Sequence, residues 1–263
     1  MRILITGKNG YIAKGLLKHL ATFKFLNFSG EKEIITVGRD DFDLTDRKST
    51  NEWFKNKYKF DVVIHTAIIG GRRIKKDNAD VFYQNISMFY NLLNNKDKFT
   101  KFIHFGSGAE LGMPSEPYGL SKKVINELIK PLDNFYNIRI FGLFDEDELD
   151  NRFIKANIKR YINKESIEVY ENKLMDFFYM EDLVSLVNYY ITHPSPPKVS
   201  ECSYAIKYSL LDIANIINNQ SDYKVSIKQL GNLSKPNYIG TTIPDVKVVG
   251  LKQGILNVYN KLK

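Results

Sequence analysis

Short apolar runs alternate with stretches of helical spacing through the first half of the chain. Residues 2–6 and 33–37 read as strands, and 10–20 between them reads as an amphipathic helix. A helix is predicted over 45–56, and DVVIH at 61–65 is a near-continuous apolar strand. A long helix over 78–94 leads to the strand KFIHF at 101–105. Pro117 suits the first turn of a helix running to about 130, where its missing N–H would have no helical partner anyway. Residues 136–141 form another strand. Strands apolar on both faces and alternating with helices predict an α/β chain with a Rossmann-like, doubly wound parallel sheet.

After about residue 145 the pattern loosens. DEDELDN reads as an acidic loop, followed by helices over 152–162 and within 177–193, the latter ended by the prolines at 194–197. Ser209 can cap a helix over LLDIANIINN, and 253–262 predicts a last helix. The expected organisation is a main domain over 1–145, to which later segments can return, and a smaller lobe over 146–263.

Composition changes this picture little. A chain of 263 residues can bury one sizeable core or a main domain with a small lobe. No run approaches the ~18–20 apolar residues that span a bilayer, so no membrane partner is expected. MRILITGKNG lacks the long apolar core of a signal peptide. Cys202 is the only cysteine, which excludes an internal disulfide and fits a cytoplasmic setting. The net charge of +8 raises the question of nucleic acid. The basic residues are scattered and not interleaved with stacking aromatics, so solubilising charge is the reading, and a small anionic ligand also fits. The four histidines show no metal-ligand spacing, and no metal is expected.

Candidate chemistry begins at the N-terminus, where a strand runs through TGKNGYIAKGL into a helix. Gly7 permits a tight turn, Gly10 lets backbone amides approach a pyrophosphate, and Ala13 allows close packing of helix on sheet. Asn9, Tyr11 and Ile12 complete the loop, and the helix N-terminus presents unpaired N–H groups to phosphates. The end of the second strand discriminates cofactors. Arg39 comes first, and its guanidinium fork matches a 2′-phosphate. NADP(H) is therefore expected over NAD(H), while Asp40 and Asp41 keep the NAD reading open, since an acid there can bind the ribose 2′-OH.

Tyr118 and Lys122 lie four residues apart, on one face at the start of a predicted helix. A phenol ionises near ~10, and a neighbouring ammonium favours its phenolate, bringing it toward a working range. Ser107 follows the 101–105 strand, where a doubly wound sheet places its ligand-facing loops. A Tyr and Lys at this spacing are common by chance. Their order after the glycine loop and Ser107 makes them candidates for proton transfer to a carbonyl oxygen.

In that order the chain resembles the extended short-chain dehydrogenase/reductases, the NAD-dependent epimerase/dehydratase family, over roughly residues 1–185. The resemblance rests on TGKNGYIAKGL, DLTD at 43–46, HTAIIGG at 65–71 and FYQN at 82–85. It continues through FGSGAELG at 105–112, YGLSK at 118–122 and DFFYMEDLV at 176–184. GRDDFDLTD, HTAIIGG and FYQNIS are similar in order and spacing to the GDP-fucose synthase-like branch, which uses NADPH. The resemblance implies Ser107, Tyr118 and Lys122 as a catalytic triad, with Lys122 also holding the nicotinamide ribose. It places Asp43 and Leu44 by the adenine and Thr66, Ala67 and Ile68 along the cofactor. Asn85, Gly108 and Ala109 join Ser107 and Tyr118 on the substrate side. It also implies a cofactor domain followed by a substrate-binding lobe, and a homodimer through the helices near 78–94 and 118–130.

The departures sharpen the expectation. That branch epimerises before reducing, with a Cys two residues after the Ser and a later His. Here those places hold Ala109 and Arg152. Met175 stands where many relatives have a diphosphate-binding Arg, for which Arg152 or Lys173 could substitute. The expected activity is reduction of the C4 ketone of a nucleotide-diphosphate-linked 4-keto (deoxy) sugar without C3 or C5 epimerisation. Two alternatives stay open: a 4-epimerase with tightly held NAD, and a nucleotide-binding protein without catalysis. A 4,6-dehydratase is disfavoured because the loop reads Gly108-Ala109-Glu110 where that activity has an Asp-Glu pair.

Overall fold

The computed structural model describes residues 1–20, 32–71, 76–231, 236–242 and 244–263. The predicted alternation is present in the first half: β1 (Arg2–Thr6), α1 (Tyr11–Leu20), β2 (Glu33–Val37), α2 (Arg47–Lys55), β3 (Phe60–His65) and α3 (Ala79–Leu93). It continues with β4 (Phe99–Ser107), the one-turn helix α4 (Ala109–Gly112), α5 (Pro117–Ile129) and β5 (Phe135–Ile140). Then follow β6 (Leu143–Phe144), α6 (Phe153–Ile162), β7 (Ile167–Val169), β8 (Phe178–Tyr179) and α7 (Met180–Thr192). The chain closes with β9 (Val199–Cys202), α8 (Leu210–Asn218), β10 (Ile227–Gln229) and α9 (Leu251–Leu262).

A six-stranded parallel sheet in the order β2-β1-β3-β4-β5-β9, flanked by helices, confirms the Rossmann-like class. Its strand order reverses at β1, which lies between β2 and β3; the crevice beyond that point is where α/β sheets bind ligands. Register fixes what each face carries. Leu4 pairs with Val63 and Val63 with Phe102, and this row joins Met88, Phe89 and Leu92 of α3 and Ile125 and Ile129 of α5 in one core. Two residues further along each strand, on the same face, stand Thr6, His65 and His104. The helix-facing core thus turns polar at the strand ends.

The chain divides into two compact units, one of residues 1–139 and 187–200, the other of 140–186 and 201–263. In the second unit, β7 pairs in parallel with β10 and β6 with β8, while α6 packs on α8 and α9. Three buried carboxylates hold its backbone at Gly240, Thr241 and Gly250. Asp176 accepts from Gly240 N–H at 2.8 Å, Glu201 from Thr241 N–H at 2.6 Å, and Asp182 from Gly250 N–H at 3.0 Å. Buried acceptors and irregular backbone satisfy each other there without a sheet ladder.

Candidate active site

The glycine loop leaves β1 at Gly7 with φ of +74°, a conformation that favours glycine. A β-carbon there would lie 2.8 Å from the backbone of Ala67, so the ends of β1 and β3 close on each other only because the side chain is absent. Gly10 N–H donates to Gly7 carbonyl at 2.8 Å and closes the turn into α1. The β3 side is stitched on by Thr66, whose hydroxyl donates to Thr6 carbonyl at 2.6 Å, and by Ala67 N–H, which donates to Thr6 Oγ1 at 3.3 Å. Gly7, Asn9, Gly10, Tyr11, Ile12, Thr66 and Ala67 therefore gather at the switch point, and this backbone-lined crevice at a helix N-terminus fits a dinucleotide. Ile68 continues the loop with 42% of its surface exposed.

Arg39 is exposed just beyond β2. Asp40 and Asp41 beside it are both tied to Lys8 of the glycine loop, at 2.6 and 2.7 Å. Asp43 accepts from the amide and hydroxyl of Thr45, both at 2.8 Å. Leu44 is buried in the core, its carbonyl accepting from Asn91 at 2.9 Å.

Ser107 ends β4 and Tyr118 occupies the first turn of α5, with α4 between them packed on α5. Pro117 stands at the helix start, as its chemistry predicts. Ser107 is buried, and its Oγ accepts from Ala109 N–H at 3.2 Å. The half-buried Tyr118 ring lies against Gly71, whose backbone has φ of +70° and whose amide donates to Asp77 at 2.9 Å. Lys122 is buried under them, with Nζ 6.0 Å from the centre of the Tyr118 ring. It donates to Phe105 carbonyl at 2.5 Å and lies 3.5 Å from His104 Nε2.

Below Lys122 the polar row of the sheet is closed off from water. His65 Nδ1 lies 2.8 Å from Thr6 Oγ1, and the imidazoles of His65 and His104 stack at 5.6 Å. Burial, then the Lys122 charge, drives both rings toward the neutral form, His65 down to about 3. Burial also lowers Lys122 to about 8, while Glu110 acts in the opposite direction. Asn85 of α3 is buried, its Oδ1 accepting from Ile69 N–H and its Nδ2 donating to Ile69 carbonyl, both at 3.0 Å, and to Ser121 Oγ at 3.1 Å. Ser121 in turn donates to Tyr118 carbonyl at 2.7 Å, so Asn85 joins the loop after β3 to the turn carrying Tyr118.

Arg152 and Lys173 belong to the second unit. Arg152 is the exposed N-cap residue of α6, and Lys173 pairs with Glu171 at 2.6 Å. Lys8 is not among the residues the sequence singles out, and Glu110 enters there only as part of the loop that disfavours a dehydratase. The signal for Lys8 was a cation in the glycine loop of a chain with an acidic pair after β2, visible only once both loops are placed together. Among the described residues no cluster of three or more His, Cys, Asp or Glu could hold a metal, and no helix is long and apolar enough to cross a membrane.

The model of the NAD dependent epimerase/dehydratase family matches residues 3–203. A GDP-L-colitose synthase from Yersinia pseudotuberculosis is 25% identical, over 98% of this chain and 89% of that protein. Among solved structures, the GDP-mannoheptose C4 reductase of Campylobacter jejuni with NADP bound superposes with a TM-score of 0.79 at 15% identity, covering 99% of this chain and 98% of that one. The UDP-glucuronic acid 4-epimerase of Bacillus cereus, in complex with UDP-glucuronic acid and NAD, gives a TM-score of 0.71 at 19% identity, over 99% and 98% of the two chains.

Proposed function

The chain belongs to the NAD dependent epimerase/dehydratase family, and from that premise we propose that it reduces the C4 ketone of a nucleotide-diphosphate-linked 4-keto sugar with NADPH, leaving C3 and C5 unepimerised. The observation that carries this reading is the Ser107, Tyr118 and Lys122 arrangement beside Ala109, a buried methyl group that cannot exchange a proton. When bound, the nicotinamide supplies the hydride that reaches the ketone carbon. Tyr118 donates its phenolic proton to the ketone oxygen. Ser107 donates a hydrogen bond to the same oxygen, since its own lone pair already receives Ala109 N–H. The buried Lys122 cation favours the phenolate that remains. Asn85 acts by positioning the Tyr118 turn, and the second unit is assigned the nucleotide and sugar, with Arg152 and Lys173 as its candidate diphosphate ligands.

The preference for NADPH is supported by charge. Lys8 pairs with both carboxylates next to Arg39 and offsets one of their two charges, so a 2′-phosphate would meet the guanidinium with less opposition. Arg39→Ser is expected to weaken NADPH binding at least tenfold and to leave NADH nearly unaffected, measured by titration of nucleotide fluorescence. The activity is tested with GDP-, CDP-, UDP- and dTDP-linked 4-keto sugars, following NADPH loss and analysing products by NMR. One member of the panel should be reduced at C4 with no solvent deuterium at C3 or C5, and Tyr118→Phe should lose at least a hundredfold in turnover. Tightly held NAD with no net NADPH consumption would overturn the reading in favour of a 4-epimerase.

A further inference from the structure

Glu110 has no part in the proposed proton transfer, yet it is 3% exposed directly behind Ser107. Its side chain folds back over one turn, so that Oε1 accepts from Ser107 N–H at 2.9 Å. Oε2 accepts from Arg139 of β5 twice, from Nε at 3.1 Å and from Nη2 at 2.9 Å. Asn137 Nδ2 approaches Oε1 at 3.4 Å while also donating to Asn126 of α5 at 2.8 Å. One carboxylate thus joins the end of β4, α4 and β5, and through Asn137 reaches α5. A buried ion pair adds little net stability, because desolvation offsets the attraction. What such a pair can supply is a fixed geometry.

We propose that Glu110 is a positioning residue for the reduction, one that holds the Ser107 turn on β5 and presents a negative charge to the Lys122 ammonium. The proposal rests on the reading of Ser107, Tyr118 and Lys122 as the reducing site. Two observations carry it. The first is the hydrogen bond to Ser107 itself, in a turn whose other end is joined to α5 by Glu116 N–H donating to Met113 carbonyl at 3.2 Å. The second is the set of groups around Lys122. His65 and His104 from β3 and β4 are held neutral by burial, Tyr118 lies on the same helix, and α3 offers the uncharged Asn85 at this junction. Arg139 from β5 is paired with Glu110. The carboxylate is shared with Arg139, and the charge it retains opposes the burial that pulls Lys122 down to about 8.

The test is steady-state kinetics of the full-length enzyme with NADPH and the 4-keto sugar found by the panel. Glu110→Gln keeps the shape and removes the charge. It should lower kcat about tenfold to a hundredfold, change NADPH affinity less than kcat because it touches no cofactor loop, and shift the alkaline limb of kcat to lower pH. The sign follows from Lys122: without the carboxylate its ammonium loses its proton earlier as pH rises. Arg139→Lys keeps a cation beside Glu110 but loses the fork, so it should lower kcat with the limb in place; it carries the test if Glu110→Gln does not fold. Wild-type kcat and pH profile in both variants, with Tyr118→Phe inactive, would overturn the proposal and leave the reducing site standing. A Glu110→Gln enzyme with lower kcat and an unmoved limb would overturn the electrostatic role. Full turnover in Tyr118→Phe would instead overturn the reading of the site.

Discussion

Gly71 places a turn against the Tyr118 ring, and a β-carbon at this position would lie 2.8 Å from Cε2 and Cζ of that ring. Its φ of +70° adds backbone strain to any larger residue. Gly71→Ala is therefore expected to lower stability by about 1–3 kcal/mol and turnover by about tenfold to a hundredfold, read by denaturant unfolding and by kcat. Affinity for the nicotinamide cofactor should change less than turnover, because the displaced group is the proposed proton donor. The residues of this site were legible as types: Gly7, Ser107, Tyr118 and Lys122 stand in an order that chance seldom supplies. The reasons behind several of them were not. HTAIIGG gives no sign that its last glycine meets a ring from a helix more than forty residues away, and SGAE gives no sign that its acid turns inward. Side-chain direction at a loop depends on partners brought by other elements.

The acidic run DEDELDN reads as a loop, and within it Glu148 is buried, its Oε1 accepting from Lys155 N–H in the first turn of α6 at 3.2 Å. Burial raises its pKa to about 8, and the nearby Asp145 charge adds to the rise. A carboxyl whose folded pKa exceeds its unfolded value near ~4.3 binds more protons in the native state between those limits. Its contribution to stability is then present below the unfolded value and declines as pH rises through about 8. Glu148→Gln should remove that decline, raising the unfolding midpoint by about 2–4 °C at pH 9 with little change at pH 4, as read by calorimetry. Other elements were set by local chemistry and were legible. Ser209 forms a capping box with Asp212 at the start of α8, where its position before the apolar run predicts a cap. The short strands β6, β7, β8 and β10 were not legible, because two or three residues carry no period. β9 supplies the sixth strand of the main sheet, but its four residues VSEC show no apolar–polar alternation to mark it.

For the whole molecule, the apolar residues of α3 and α5 could have faced either a partner subunit or the protein's own interior. Met88, Phe89, Leu92 and Ile129 are core, whereas Tyr83, Tyr90 and Leu120 are exposed at 64%, 47% and 36%. A homodimer through these helices would have to use the second set. Tyr83→Glu with Tyr90→Glu is expected to convert a dimer to a monomer in sedimentation equilibrium without altering the unfolding midpoint by more than a few degrees. A wild-type monomer at micromolar concentration would exclude the dimer. By itself the sequence determined the α/β class, most element positions in the first half, the glycine loop and the order of Ser107, Tyr118 and Lys122. Those features follow from period, propensity and chain order, which are local. Only the tertiary structure decided that residues 187–200 return to the first unit, that His65 and His104 are neutral beneath Lys122, that Lys8 pairs with Asp40 and Asp41, and that Glu110 turns back onto Ser107. Burial and pairing depend on which distant strands become neighbours, and no window of the sequence contains that.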